Sequence, residues 1–126
     1  MRWNELIRLL VLLSLATIVI QAIQAKDVPP ELKGEFVEIQ NILQNEPAYD
    51  SKMVAIEGKI VNECGSGCWF IIDDGTASIY VDILPNNFVI PQKRGSNAKV
   101  YGEVTTKNGD TMMIGKMVEI GGEIYS

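Results

Sequence analysis

The sequence of 126 residues contains no histidine, and that absence removes more chemistry than any other feature. Serine–histidine and cysteine–histidine nucleophile pairs, the HExxH zinc helix and every histidine-containing zinc site require an imidazole. Cysteine is scarce: the 2 residues, Cys64 and Cys68, cannot supply a four-thiolate zinc site, which would need carboxylates or a second chain. No block recurs at a period of about 20–50 residues, which excludes solenoids and propellers. Positive charge is also short, with 11 Lys and Arg against 16 Asp and Glu, a net charge of −5. What is present is 47% hydrophobic and 21% charged, the composition of one ordinary folded domain, neither disordered nor multi-spanning. No nucleophile–base pair is visible, so an enzyme is not expected.

Residues 1–25 stand apart. Arg2 and Arg8 precede an uncharged run, 9–25, whose apolar centre spans 9–20 and which ends Ala22-Ile23-Gln24-Ala25. A basic start, a greasy centre and a small residue at the end predict a signal peptide cleaved after Ala25. The same 17 uncharged residues reach the lower edge of the ~17–25 that cross a bilayer, so an uncleaved membrane anchor is the alternative. No cysteine follows the run to carry a lipid, and a lipoprotein is not expected. Either way the domain is exported: periplasmic, extracellular or on the outer face of the cytoplasmic membrane. Without Arg2, Arg8 and Glu5 the remainder carries 9 basic and 15 acidic side chains, net −6. An acidic exported domain is poorly suited to phosphate backbones, whose affinity comes from Lys and Arg displacing counterions. Its compartment permits disulfides.

Residues 26–34, with Pro29-Pro30, read as an extended tether. The domain then runs 35–126. Phe36, Ile39, Ile42 and Leu43 recur at helical spacing, predicting a short helix over 35–44 that Pro47 marks as ended. The period then falls to two. Val54, Ile56 and Ile60 predict a strand over 52–63, with a bulge or sharp bend at Gly58; 69–72 (Trp-Phe-Ile-Ile) predicts a second, covered on both faces; Ile79, Val81 and Ile83 a third. Residues 84–96 hold Pro85 and Pro91 and form a connector packed by Phe88 and Ile90. Ala98 to Val104 and Met112 to Ile120 make the fourth and fifth strands, joined through Asn108-Gly109, the type I′ hairpin pair. Five short strands have open edges that a closed barrel removes. The three-plus-two grouping predicts a mainly β fold: a five-stranded OB-fold Greek-key barrel with one short N-terminal helix, preceded by the signal or anchor helix.

Two stretches carry a resemblance. Residues 39–52, followed by Val54-Ala55-Ile56-Glu57-Gly58-Lys59-Ile60, resemble the opening of small exported OB-fold proteins of the tRNA-anticodon-binding-like type. Cys64-Gly65-Ser66-Gly67-Cys68-Trp69-Phe70 with Asp73-Asp74-Gly75 resembles an uncharacterised exported family with a Gly-Cys-Trp motif after its first strand. Together they cover about 39–83, and imply an OB barrel of a type often assigned nucleic-acid binding by its fold. A thinner likeness, to the membrane-anchored OB-fold haem chaperone of cytochrome c maturation, rests on the anchor, Leu84-Pro85-Asn86-Asn87-Phe88 and Glu123-Ile124-Tyr125. The chain departs from it by lacking any His, or a Cys near the C-terminus, to bond haem, so no cofactor is carried over.

Cys64 and Cys68 flank Gly65-Ser66-Gly67 at the junction of the first two strands, and in a three-residue hairpin loop their sulfurs would meet. Outside the cytoplasm the expectation is a disulfide that clips the hairpin, worth ~2 kcal/mol for so short a loop. The alternatives are a soft-metal site, copper(I) held by the two thiols with Met53, Met112, Met113 or Met117 as a third ligand, and a redox pair. A redox pair here lacks a helix N-terminus to lower the thiol pKa. Asp73-Asp74 before Gly75 reads as turn chemistry. A ligand face is expected around Trp69, Tyr80 and Tyr101, with Lys93, Arg94 and Lys99 as a small basic group. That set would also serve single-stranded nucleic acid, a partner that the net charge disfavours but leaves open. Otherwise the partner is an unspecified protein or small ligand.

Overall fold

The structure, a computed structural model, describes residues 3–5, 7–8 and 28–126. The apolar run 9–25 and the expected cleavage point after Ala25 lie outside the described residues. Six strands follow two short helices: α1 (Ile39–Gln44), α2 (Glu46–Tyr49), β1 (Met53–Glu63), β2 (Trp69–Asp73), β3 (Ser78–Asp82), β4 (Asn97–Lys107), β5 (Asp110–Ile120) and β6 (Glu123–Tyr125). The sheet order is β3-β2-β1-β4-β5-β6, antiparallel between neighbours, and it closes where β3 meets β5 in parallel through Val81↔Met113 and Asp82↔Ile114. Closure satisfies the two edges that an open five-stranded sheet would expose.

Alternation sets the interior. Phe70 and Ile72 of β2, Ile79 and Val81 of β3, Val100 and Val104 of β4, and Met113 and Val118 of β5 point inward and are buried, with Ile56 and Ile60 of β1 beside them. Ile39 and Ile42 of α1 belong to the same cluster, so α1 packs on the barrel core. Each fully buried side chain of this size contributes roughly 1.5–3 kcal/mol relative to exposure.

Several expectations need correction. The helix begins at Ile39, not residue 35, because Val37 N–H instead donates to Ala55 O at 2.9 Å and holds the chain extended along β1. Phe36 is therefore 36% exposed and off any helical face. Pro47 does come after α1, which ends at Gln44, and it sits in the first turn of α2, where its missing N–H has no partner to lose. Gly58 is not the bulge; the register of β1 on β2 shifts between Ile60 and Asn62. Instead a Cβ at Gly58 would crowd the Asp73 carbonyl, so glycine permits close approach of β1 to the end of β2. β2 is covered on one face only, with Trp69, Ile71 and Asp73 half-buried on the outside. Within the expected tether, residues 30–32 form a 3₁₀ turn whose Leu32 is buried at 1% exposure, so this part packs on the domain. A sixth strand pairs with β5 after Gly121-Gly122, both at positive φ (58° and 84°), a two-residue turn that two glycines permit.

Asp74 does more than turn the chain. One carboxylate oxygen accepts the Thr76 N–H at 2.9 Å and the Ala77 N–H at 3.2 Å, closing the β2–β3 turn. The other accepts the Ile39 N–H at 2.8 Å and caps α1 from across the fold. Partial burial pushes the Asp74 carboxyl up, and its hydrogen bonds, led by that from Ile39, outweigh this and hold it below the ordinary range.

Candidate functional site

The β1–β2 loop is fixed from three sides. Cys64 N–H donates to Trp69 O at 3.0 Å and Gly67 N–H to Cys64 O at 3.0 Å, closing the loop on itself. Ile90 N–H donates to Gly67 O at 3.1 Å, and Gln92 Nε2 donates to Gly65 O, seating the loop on the connector. Ile83 N–H donates to Cys68 O at 3.2 Å from the end of β3. Gly67 has φ of 74°, and its absent Cβ would overlap the Ile90 carbonyl oxygen, so no other residue type fits.

Both thiols of the loop are free and half-buried. They share one hydroxyl: Ser66 Oγ lies 3.1 Å from Cys64 Sγ and 3.5 Å from Cys68 Sγ. Hydrogen bonds from the Cys68 thiol and then from Ser66 favour the ionised form of Cys64 and lower its pKa to about 6. The sequence contained this signal in Ser66, but residue type alone does not reveal which way a hydroxyl points.

Next to the thiols the outer face of β2 and β3 carries an aromatic pair. Trp69 and Tyr80 stack with ring centroids 5.3 Å apart and planes 29° from parallel. Burial first, then the charges of Asp82, Cys68 and Cys64, push the Tyr80 phenol above its ordinary pKa. On its far side an open groove of about 410 Å³ runs to the β4–β5 turn, lined by Tyr80, Lys107, Asn108, Asp110, Thr111 and Met112. Across β2, Arg94 Nη2 donates to Asn62 Oδ1 at 2.9 Å, and Asn62, Ile71 and Tyr80 are successive register partners. The face therefore runs from Arg94 through Trp69 and Tyr80 to Lys107, with Asp82 and Asp110 interspersed.

Two of the expected site residues, Tyr101 and Lys99, are not on it. Tyr101 lies in register with Ala55 of β1 and Met117 of β5, on the outer face of a different part of the barrel. Lys99 shares that face, with Nζ 4.0 Å from Glu57, 3.8 Å from Glu119 and 5.8 Å from the Phe36 ring centroid, so its charge is already partnered. Lys93 and Arg94 give their backbone N–H groups to the Glu63 carboxylate at 2.9 and 3.0 Å, which pins the connector to the end of β1. Met53 opens β1, whereas Cys64 follows its last residue, so the two stand at opposite ends of one strand. Met113 is a fully buried core side chain, Met117 is the register partner of Tyr101, and Met112 lines the groove. Among the described residues no three of His, Cys, Asp and Glu gather as a metal-holding group.

A closed barrel with its exposed aromatics on β2 and β3 invites comparison with solved structures. The hypothetical protein ygiW from E. coli aligns over 77% of this chain and 99% of its own, with 20% identity and a TM-score of 0.52. The asparaginyl-tRNA synthetase from Pyrococcus horikoshii aligns over 69% of this chain with a TM-score of 0.58 and 20% identity. The fold is OB-like. The chain spans only 23% of that synthetase, so the likeness is to one domain of it. A designated OBody, AM1L10, solved bound to hen egg-white lysozyme, aligns over 78% of this chain and 100% of its own, at 13% identity and a TM-score of 0.50. No protein-family model matches the sequence, and no curated protein does. At these identities the OB-like likeness concerns the fold alone. The barrel is a scaffold on which unrelated ligands are bound, and the site must be argued from its own residues.

Proposed function

We propose that this protein is a non-catalytic OB-fold binding module that acts outside the cytoplasm and takes an extended polypeptide segment of a partner protein across the outer face of β2 and β3. The observation that carries this reading is the stacked Trp69–Tyr80 pair, opening on a groove that ends at the β4–β5 turn. In OB barrels the face of strands two and three, with the loops at its two ends, is where ligands lie. Flat aromatic surface that is half-exposed supplies contact area at low entropic cost. Charge chooses the ligand class. Arg94 and Lys107 alternate with Asp82 and Asp110 along the face, and residues 26–126 carry net −6. Side chains of both signs along a peptide suit this pattern, and a run of phosphates does not.

Export is supported by the basic start, apolar run and Ala25 of the N-terminal segment. In an oxidising compartment the Cys64 and Cys68 thiols close to a disulfide that stiffens the loop at one end of the face. A copper(I) site has less support, because Met53 stands at the far end of β1 and Met113 is a core residue.

The test is a titration of Trp69 emission in a Trp3→Phe background. The probes are a set of synthetic extended peptides carrying side chains of both signs and an oligothymidylate of matched length. Saturable binding by peptides, lost in Tyr80→Ala, supports the reading. Preferential binding of the oligothymidylate, weakening steeply with salt, replaces it with nucleic-acid recognition. Intact mass of the protein taken from its native envelope reports cleavage after Ala25.

A further inference from the structure

The Cys64-Gly65-Ser66-Gly67-Cys68 loop holds two sulfurs around a single hydroxyl on a backbone that is itself fixed. We propose that this loop is a thiol–disulfide exchange site in which Cys64 is the attacking sulfur and Cys68 the resolving one, so that the clip forms and opens reversibly with the disulfide poise of its surroundings. The co-reactant is a low-molecular-weight disulfide, RSSR. The proposal stands on the cysteine pair and is independent of which ligand the neighbouring face takes.

Three observations carry it. The first is proximity: both sulfurs are within reach of Ser66 Oγ, at 3.1 and 3.5 Å, with one hydroxyl proton between them. The second is access. Cys64 and Cys68 are half-buried at a loop between strands, unlike a core thiol, and the flanking Gly65 and Ser66 are exposed, so a small disulfide reaches them. The third is asymmetry. Ser66 Oγ stands nearer Cys64 Sγ, at 3.1 Å, than Cys68 Sγ, at 3.5 Å, so its hydroxyl is placed to turn to the Cys64 thiolate as that forms, and the Cys64 thiol pKa is lowered. The thiolate is the nucleophile in exchange, and hydrogen bonds to it here replace the helix N-terminus that such sites ordinarily use.

The step balances as follows. Cys64 thiolate attacks one sulfur of RSSR; a Cys64–SR bond forms, the S–S bond of RSSR breaks, and RS⁻ leaves and takes a proton. Cys68, losing its proton to water, then attacks Cys64 Sγ, forms the Cys64–Cys68 bond and expels the second RS⁻. The protein loses two hydrogens and RSSR is reduced to two RSH. In the reverse direction two thiols reopen the clip. Closure removes the thiolate charge whose field reaches Tyr80, so the charge at that end of the aromatic face changes with redox state.

The experiment uses the full chain, reduced and then exposed to glutathione disulfide at pH 7, with intact mass read over time. Wild type is expected to lose two hydrogens with only transient glutathionylation. Cys68→Ser is expected to stop as a stable mixed disulfide on Cys64, and Cys64→Ser to react severalfold more slowly than Cys68→Ser. Ser66→Ala, which leaves both sulfurs in place, is expected to move the pH midpoint of Cys64 alkylation upward from near 6, toward the ordinary thiol range. The proposal is overturned if wild type stays reduced, if it accumulates as a mixed disulfide without closing, if Cys68 reacts faster than Cys64, or if Ser66→Ala leaves the midpoint unchanged.

Discussion

Trp69 and Tyr80 are not register partners: Asp82 opposes Trp69 and Ile71 opposes Tyr80, so the two rings meet on the diagonal between β2 and β3. Diagonal neighbours on one sheet face are within reach only for long or aromatic side chains. A double-mutant cycle of Trp69→Leu and Tyr80→Leu, followed by denaturant unfolding, is expected to return a coupling of about 0.5–1.5 kcal/mol. A coupling indistinguishable from zero would mean that the rings make no specific pair in solution.

The Asp74 carboxylate joins the β2–β3 turn to the start of α1 through Ile39. Asp74→Ala is expected to cost about 1–2 kcal/mol, the value of a lost cap together with its turn bonds. The pH dependence has a definite sign. A carboxyl held below its ordinary range when folded adds stability at pH values above that range and loses it as pH falls through the folded value. Acid unfolding of Asp74→Asn should therefore show a shallower decline below pH ~4 than wild type. Asp73, lowered by hydrogen bonds from Ser78 and Gly75, contributes in the same direction and keeps some of the slope in that variant.

Gly67 and Gly65 make a matched pair for the loop. Gly67→Ala forces a side chain onto the Ile90 carbonyl at a φ of 74°, and about 1–3 kcal/mol of destabilisation is expected, with faster amide exchange at Ile90. Gly65→Ala meets nothing nearer than Gln92 Nε2 at 3.7 Å and should stay within about 0.5 kcal/mol of wild type. Equal effects from the two substitutions would show that the loop is not seated on the connector.

Methionine serves packing in this barrel. Met113→Ala is expected to cost about 2–5 kcal/mol, since it empties a fully buried position where β3 and β5 close the sheet. Met53→Ala, at 42% exposure, should change stability by less than about 0.5 kcal/mol. Calorimetric or denaturant midpoints of the two variants separate these outcomes.

Most of the strand pattern was legible in the sequence because period-two burial is written residue by residue: Val54, Ile56 and Ile60, or Ile79 and Val81, declare an inner face without knowledge of any partner. Asn108-Gly109 likewise declares its own turn, with φ of 55° and 84°. Residues 69–72 misled because an unbroken apolar run looks the same whether two faces or one are covered. Only the placement of β3 and the absence of a second layer over Trp69 among the described residues left that ring outside. β6 escaped notice since three residues are too few to show a period. Phe36 kept helical spacing with Ile39 but went into an extended segment, where a hydrogen bond from Val37 to β1 outweighed it.

By itself, then, the amino-acid order determined the mainly β class, the meander-then-hairpin grouping, the acidic balance and the adjacency of two cysteines, all properties that depend on local pattern or simple counting. Tertiary structure decided which outward residues share a face. It brought Trp69 to Tyr80 and both toward the Lys107–Asp110 turn, sent Tyr101 and Lys99 elsewhere, and set Ser66 between the sulfurs. The physical reason is that strand register and barrel closure are fixed by burying the inner side chains, and the outer ones are carried wherever that closure puts them.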